Sequence, residues 1–164
     1  MTVWNLLNQI RETPAQRSDR LIRETLRTSS LPVVDLGDGM RAVVAPPRNT
    51  YRTKVYVWPR GRFVRCQAAT DMVIERDLLG REMMLQILEA NGPDQPGVFW
   101  LVPDNDDRVV CLGSEVDSRE TTAAELQELI GDLLARFERM VTRLYAMGLI
   151  IEGPEPFGPA PSGN

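Results

Sequence analysis

Residues 122–148 carry the pattern that most limits the fold. Thr122-Ala123-Ala124-Glu125 reads as a capping box, in which a threonine hydroxyl and a glutamate three residues on satisfy each other's backbone amides. Beyond it Leu126, Leu129, Ile130, Leu133, Leu134, Phe137, Met140, Val141, Leu144 and Tyr145 recur at i, i+3, i+4 and i+7, a single apolar stripe that Gly148 ends. A helix with one apolar stripe draws its stability from packing that stripe on something else. The remainder of the chain must supply that surface.

It supplies strands. The segments 31–36 (LPVVDL) and 40–45 (MRAVVA) flank Gly37-Asp38-Gly39, a turn in which glycine accepts positive φ at little cost. After Pro46-Pro47, segments 53–58 (TKVYVW) and 62–68 (RFVRCQA) flank a second turn at Pro59-Arg60-Gly61. A third hairpin joins 98–102 (VFWLV) to 108–113 (RVVCLG). Two further helices are expected. One opens on Thr13-Pro14-Ala15-Gln16 (N-cap, proline at the first helical position, glutamine at N3) and buries Leu21, Ile22 and Leu26. The other is expected over 78–90, capped by Asp77 and closed by Asn91-Gly92-Pro93. Val3, Leu6, Leu7 and Ile10 are spaced for a short leading helix. From Glu152 the run EGPEPFGPAPSGN is rich in proline and glycine and predicts disorder. We therefore expect a helical extension over 1–13, one α+β domain over 14–148 and a disordered tail over 149–164. A length of 164 residues fits one domain.

The chain has no histidine. That removes the commonest general base, the commonest metal ligand and every Ser/His or Cys/His pair. No glycine-rich phosphate cradle of the GxxxxGK[ST] or GxGxxG kind occurs. Cys66 and Cys111 lie in strand-like runs without a CxxC, which gives zinc no basis and suits reduced thiols, although the sequence leaves a disulfide between them open. Glu125 and Glu128 fall on the solvated side of the last helix. We expect no catalysis, no cofactor and no metal.

Asp104, Asp106 and Asp107, with Glu115 downstream, imitate the start of a calcium loop. Counting from Asp104, however, the fifth ligand position is Arg108 and the sixth, where the loop needs glycine, is Val109. A hairpin tip made by Asp and Asn is expected instead. No run of apolar residues is long enough for a membrane-spanning helix, and the opening MTVWNLLNQIRE lacks the basic lead of a signal peptide. A cytoplasmic protein is expected.

Two surfaces point to binding. Strand alternation puts Tyr51, Thr53, Val55 and Val57 on one face and Arg52, Lys54, Tyr56 and Trp58 on the other; Val64, Cys66 and Ala68 join the first, Phe63, Arg65 and Gln67 the second. Arg52, Lys54, Tyr56, Trp58, Phe63 and Arg65 thus make a basic, aromatic face suited to a protein segment or, as the alternative, to single-stranded nucleic acid. Against the alternative stands a net charge of −4, although residues 1–65 hold 12 basic and 5 acidic side chains. On the 78–90 helix Leu78, Leu79, Met83, Met84, Leu85, Ile87 and Leu88 cover more than a single stripe. Leu79, Met83, Met84 and Ile87 are the expected interface of a homodimer. Along 98–102, Val98, Trp100 and Val102 share one face and Phe99 and Leu101 the other, and both faces are expected to be covered.

The segments 77–92 (DLLGREMMLQILEANG), 97–113 (GVFWLVPDNDDRVVCLG) and 124–148 (AELQELIGDLLARFERMVTRLYAMG), in that order, resemble those of the YbjN-like proteins and the class I type III secretion chaperones. The resemblance spans about residues 14–148 and rests on hydrophobic pattern. It implies helices packed on a curved antiparallel sheet, a dimer, and a non-enzymatic, chaperone-like or regulatory module that binds a segment of another protein.

Overall fold

Thr13 closes the first capping box. Its hydroxyl accepts from the Gln16 amide at 3.2 Å, and the Gln16 side chain accepts from the Thr13 amide at 2.9 Å. Helix α1 (Pro14–Arg27) follows, with proline where a missing N–H costs nothing. In this computed structural model the described residues are 12–47, 51–70, 72–74, 80–104 and 107–152. The helix expected over Val3–Ile10, residues Asp77, Leu78, Leu79, Asn105 and Asp106, and the tail from 153 onward lie outside them.

Six antiparallel strands form one sheet in the order β1-β2-β3-β4-β7-β6. They are β1 (Val33–Gly37), β2 (Met40–Val44), β3 (Thr53–Arg60), β4 (Phe63–Thr70), β6 (Val98–Asp104) and β7 (Asp107–Asp117). The β1–β2 connection is the two-residue turn Asp38-Gly39, both at positive φ (49° and 77°), whose twist matches that of the strands it joins. Strands β6 and β7 pair as far as Asp104 and Asp107, as a hairpin does.

Helix α2 (Arg81–Ala90) stands between β5 (Met72–Val73) and β6, and α3 (Ala123–Ala146) follows β7. The Thr122–Glu125 capping box of α3 closes as expected. At its other end Gly148 (φ +67°) donates to the Tyr145 carbonyl and Leu149 to the Leu144 carbonyl, both at 2.9 Å, the paired bonds of a glycine-terminated helix. The three described helices bury their apolar residues on one side of the sheet. Leu21, Ile22 and Leu26 of α1, Met83 and Ile87 of α2 and Leu126, Leu133, Phe137 and Leu144 of α3 meet Val43, Val55, Val57, Val64, Cys66, Ala68, Phe99, Val110 and Leu112. The expected α+β single domain is present.

Several expectations need correction. The second hairpin turns at Gly61-Arg62; Pro59 and Arg60 are strand residues paired with Val64 and Phe63. Helix α2 starts at Arg81, not Leu78, with Gly80 extended as its N-cap (φ −95°, ψ 175°); the expected cap Asp77 lies outside the described residues. Glycine inside a helix would cost about 1 kcal/mol relative to alanine, and here it stays outside. Strand β7 continues past Gly113 to Asp117, because that stretch pairs with β4 from Phe63 to Gln67. The disordered tail does not begin at 149: Ile150 is buried in the core, and β8 (Ile151–Glu152) pairs with β5.

Candidate functional site

The outer side of the sheet, away from the helices, carries a second apolar cluster of Ala42, Tyr56, Ala69, Val73, Val109 and Cys111, flanked by Met40, Trp58, Trp100 and Val102. The two faces follow from period-2 alternation on every strand. Register then sets neighbours across the strands. Trp58 pairs with Arg65 and Arg65 with Glu115, while Tyr56 pairs with Gln67 and Gln67 with Gly113.

Three side chains form a row over this face. The Arg65 guanidinium lies 5.7 Å from the Trp58 ring centroid and 5.8 Å from that of Trp100. These are distances at which an indole face attracts a cation by about 0.5–1 kcal/mol at an accessible site. Trp58 comes from β3, Arg65 from β4 and Trp100 from β6, and β7 runs between the last two. Gly113 on β7 leaves the space: a Cβ there would meet Trp100 Cη2 at 2.3 Å. Beside the row opens a cleft of about 470 Å³ whose walls include Arg65, Trp100, Gly113, Ser114 and Glu115.

Not every expected contact residue belongs to this row. Trp58 and Arg65 stand in it, half-buried. Phe63, two residues before Arg65 on the same face, lies 4.6 Å under the Arg62 guanidinium. Tyr56 is only 7% exposed and supports the row from below. Lys54 and Arg52 lie toward the opposite end of the face, about 13 and 20 Å from Trp58 along the strand at 3.3 Å per residue. Sequence reasoning missed Trp100 and Gly113 as site residues. Alternation had already put Trp100 opposite Phe99, but its approach to Arg65 needs the β4-β7-β6 order.

The expected dimer residues divide likewise. Met83 (0% exposed) and Ile87 face the core of their own chain, which corrects their assignment to a subunit interface. They are one helical turn apart, on the side α2 turns toward β6 and the shared core. The exposed apolar arc of α2 is Met84, Leu85 and Leu88. On β6, Phe99 is buried and Leu101 packs against the core, as expected, but Val98 is 58% exposed and uncovered.

Cys66 and Cys111 point to opposite faces of the sheet and are free, so the sheet itself keeps them from bridging. Burial pushes the Cys66 thiol up to about 12 and the Cys111 thiol up to about 11. Both therefore stay protonated and unreactive at neutral pH. Among the described residues no group of three His, Cys, Asp or Glu side chains could hold a metal ion, and no helix is long and apolar enough to cross a membrane.

No protein-family model and no curated protein sequence matches the chain. Among solved structures it is similar to YbjN from E. coli, at 8% identity over 80% of this chain and 94% of that one, with a TM-score of 0.62. It is also similar to the Yersinia pestis type III secretion chaperone SycH, solved with a stable fragment of YscM2 (17% identity, 79% and 98% covered, TM-score 0.44). ExsC–ExsE is a third such structure (16% identity, 76% and 91% covered, TM-score 0.47). The chain has the YbjN-like fold expected from its sequence.

Proposed function

We propose that this chain is a non-enzymatic, chaperone-like or regulatory module that holds a segment of another protein on the outer face of its sheet. One observation carries the proposal. The Trp58–Arg65–Trp100 row stands on the side of the sheet opposite all three described helices, next to an open cleft. Indoles offer large, rigid contact area at low entropic cost, and Arg65 between them offers N–H donors to a carbonyl or carboxylate of the segment. Buried, protonated thiols suit a reducing cytoplasm.

A second copy of the chain is the further partner. Met84, Leu85 and Leu88 form an apolar arc on one helix, with Leu88 64% exposed, and a twofold contact between two such arcs would cover it.

Affinity capture with the wild-type chain, Trp58→Ala and Lys54→Ala tests the segment reading. A protein partner should survive about 0.5 M salt, where the Debye length is only a few ångströms. It should also be lost with Trp58→Ala and largely kept with Lys54→Ala. Retention of a labelled single-stranded oligonucleotide that disappears with salt and with Lys54→Ala would replace the reading with nucleic-acid binding. A partner indifferent to Trp58→Ala would place the binding surface elsewhere.

A further inference from the structure

Arg136 leaves the middle of α3 for the junction where α2 ends and β6 begins. It is 6% exposed. Its guanidinium donates to the carbonyls of Ala90, Pro96 and Gly97 and lies 5.0 Å over the Phe99 ring, so it ties the last turn of α2 to the loop at 91–97. Its partners are all carbonyls, and among the described residues no carboxylate forms an ion pair with it. Burial lowers its pKa, and repulsion from Arg139 lowers it further, as expected for a cation whose charge nothing nearby neutralises.

Arg139 and Arg143 follow on the same helical stripe, three and seven residues on. With Arg136 they line a cleft of about 370 Å³ between α2 and α3, which Phe99 and Met140 close on the apolar side and Glu89 borders. Two exposed arginines of α1 each pair with an acid one turn away, Arg20 with Glu24 at 3.1 Å and Arg23 with Asp19 at 2.8 Å. Arg139 instead has Ala135, Arg136, Thr142 and Arg143 at those positions, and Arg143 has Arg139, Met140, Ala146 and Met147. Like charges at i, i+4 repel. Among the described residues neither Arg139 nor Arg143 forms an ion pair. The negative end of the α3 dipole accounts for Arg143 in the last turn, but not for Arg139 or for the convergence of both on a buried third arginine.

We infer that the cleft between α2 and α3 is an oxyanion site, in which Arg139 and Arg143 grip a carboxylate or phosphate group beside the fixed charge of Arg136. Guanidinium forks match both groups bidentately. The volume exceeds that of a bare ion and leaves room for the side chain or small molecule that bears it. Gln95 lines both this cleft and the one beside Trp100, so a segment passing around the β6 edge would bring a carboxylate here. The site does not depend on that path.

Isothermal titration of the full chain with inorganic phosphate, and separately with a tetraglutamate peptide, tests the site. At least one probe should saturate at one equivalent. Arg139→Gln/Arg143→Gln should weaken that binding about tenfold or more, and Arg27→Gln, an exposed arginine of α1 that lines neither cleft, should leave it unchanged. Both arginines are exposed, so the thermal midpoint of the double variant without ligand should match the wild type. Saturation by phosphate alone identifies a free anion as the occupant, and saturation by the peptide alone identifies a side-chain carboxylate. Failure of both probes to saturate, or equal binding by the double variant, overturns the inference.

Discussion

Gly113 decides whether the aromatic row can exist. The Trp100 indole rests on its backbone, where a Cβ would stand 2.3 Å from one ring carbon and 2.7 Å from the next. Gly113→Ala should therefore lift the indole away from Arg65 and cost on the order of 1–3 kcal/mol, the usual penalty of overpacking. Tryptophan emission and the urea midpoint report the two effects, and an unchanged emission spectrum would show that the ring does not lie there. Asp117 makes a different prediction. Arg119 donates to its carboxylate from the side chain and from the backbone amide and holds its pKa at about 2, against an ordinary 3.8. A carboxylate depressed in the folded state stabilises the fold above its unfolded pKa, and that stabilisation is lost as pH falls through the folded value. Between about pH 5 and pH 2.5, Asp117→Asn should thus lose less of its urea midpoint than the wild type does. Equal losses would mean that the pair contributes nothing.

At the scale of elements, two helix starts were legible and helix surroundings were not. The threonine caps at 13 and 122 act through residues three positions away, so sequence alone shows them. Thr122→Ala should cost about 1 kcal/mol by thermal denaturation. Helix α2 shows the opposite case. Its apolar residues extend around much of its surface, and only the packing of α2 against β6 and the shared core assigns Met83 and Ile87 to the interior. Glu at Met84 and Leu88 should leave the fold intact and turn a sedimenting dimer into a monomer, whereas Met83→Glu should unfold the chain, because it buries an unpaired charge. A wild-type chain that sediments as a monomer at micromolar concentration would remove the dimer. The β6 edge has a guard of its own. The Asn91 side chain accepts from the Phe99 amide at 2.7 Å and donates to the Phe99 carbonyl at 3.0 Å, occupying the groups that a foreign strand would pair with.

The described residues form a sheet with one face covered by helices and the other carrying an aromatic row. Its closing contact comes from residues first assigned to a tail. Ile150 is 3% exposed among core side chains, and β8 continues from it to pair with β5. Ile150→Ala should cost about 2–5 kcal/mol, as for other buried aliphatic truncations. Loss of less than about 0.5 kcal/mol, the range of ordinary surface changes, would show that the domain ends at Gly148.

The sequence by itself determined what depends on near neighbours along the chain. Capping boxes, the α3 stripe, the Asp38-Gly39 turn and the alternation that separates Tyr56 and Trp58 from Val55 and Val57 each need only periods of two or 3.6 residues. The tertiary structure decided what depends on strand order and layer. Strand β7 inserts between β4 and β6, so Trp100 reaches Arg65 across a glycine nearly fifty residues further along the chain than that arginine. The seating of α2 and α3 over the same sheet brings Arg136 to carbonyls some forty residues earlier. No local pattern encodes such meetings, because each is fixed by the burial of apolar faces on a shared sheet rather than by any bond between neighbouring residues.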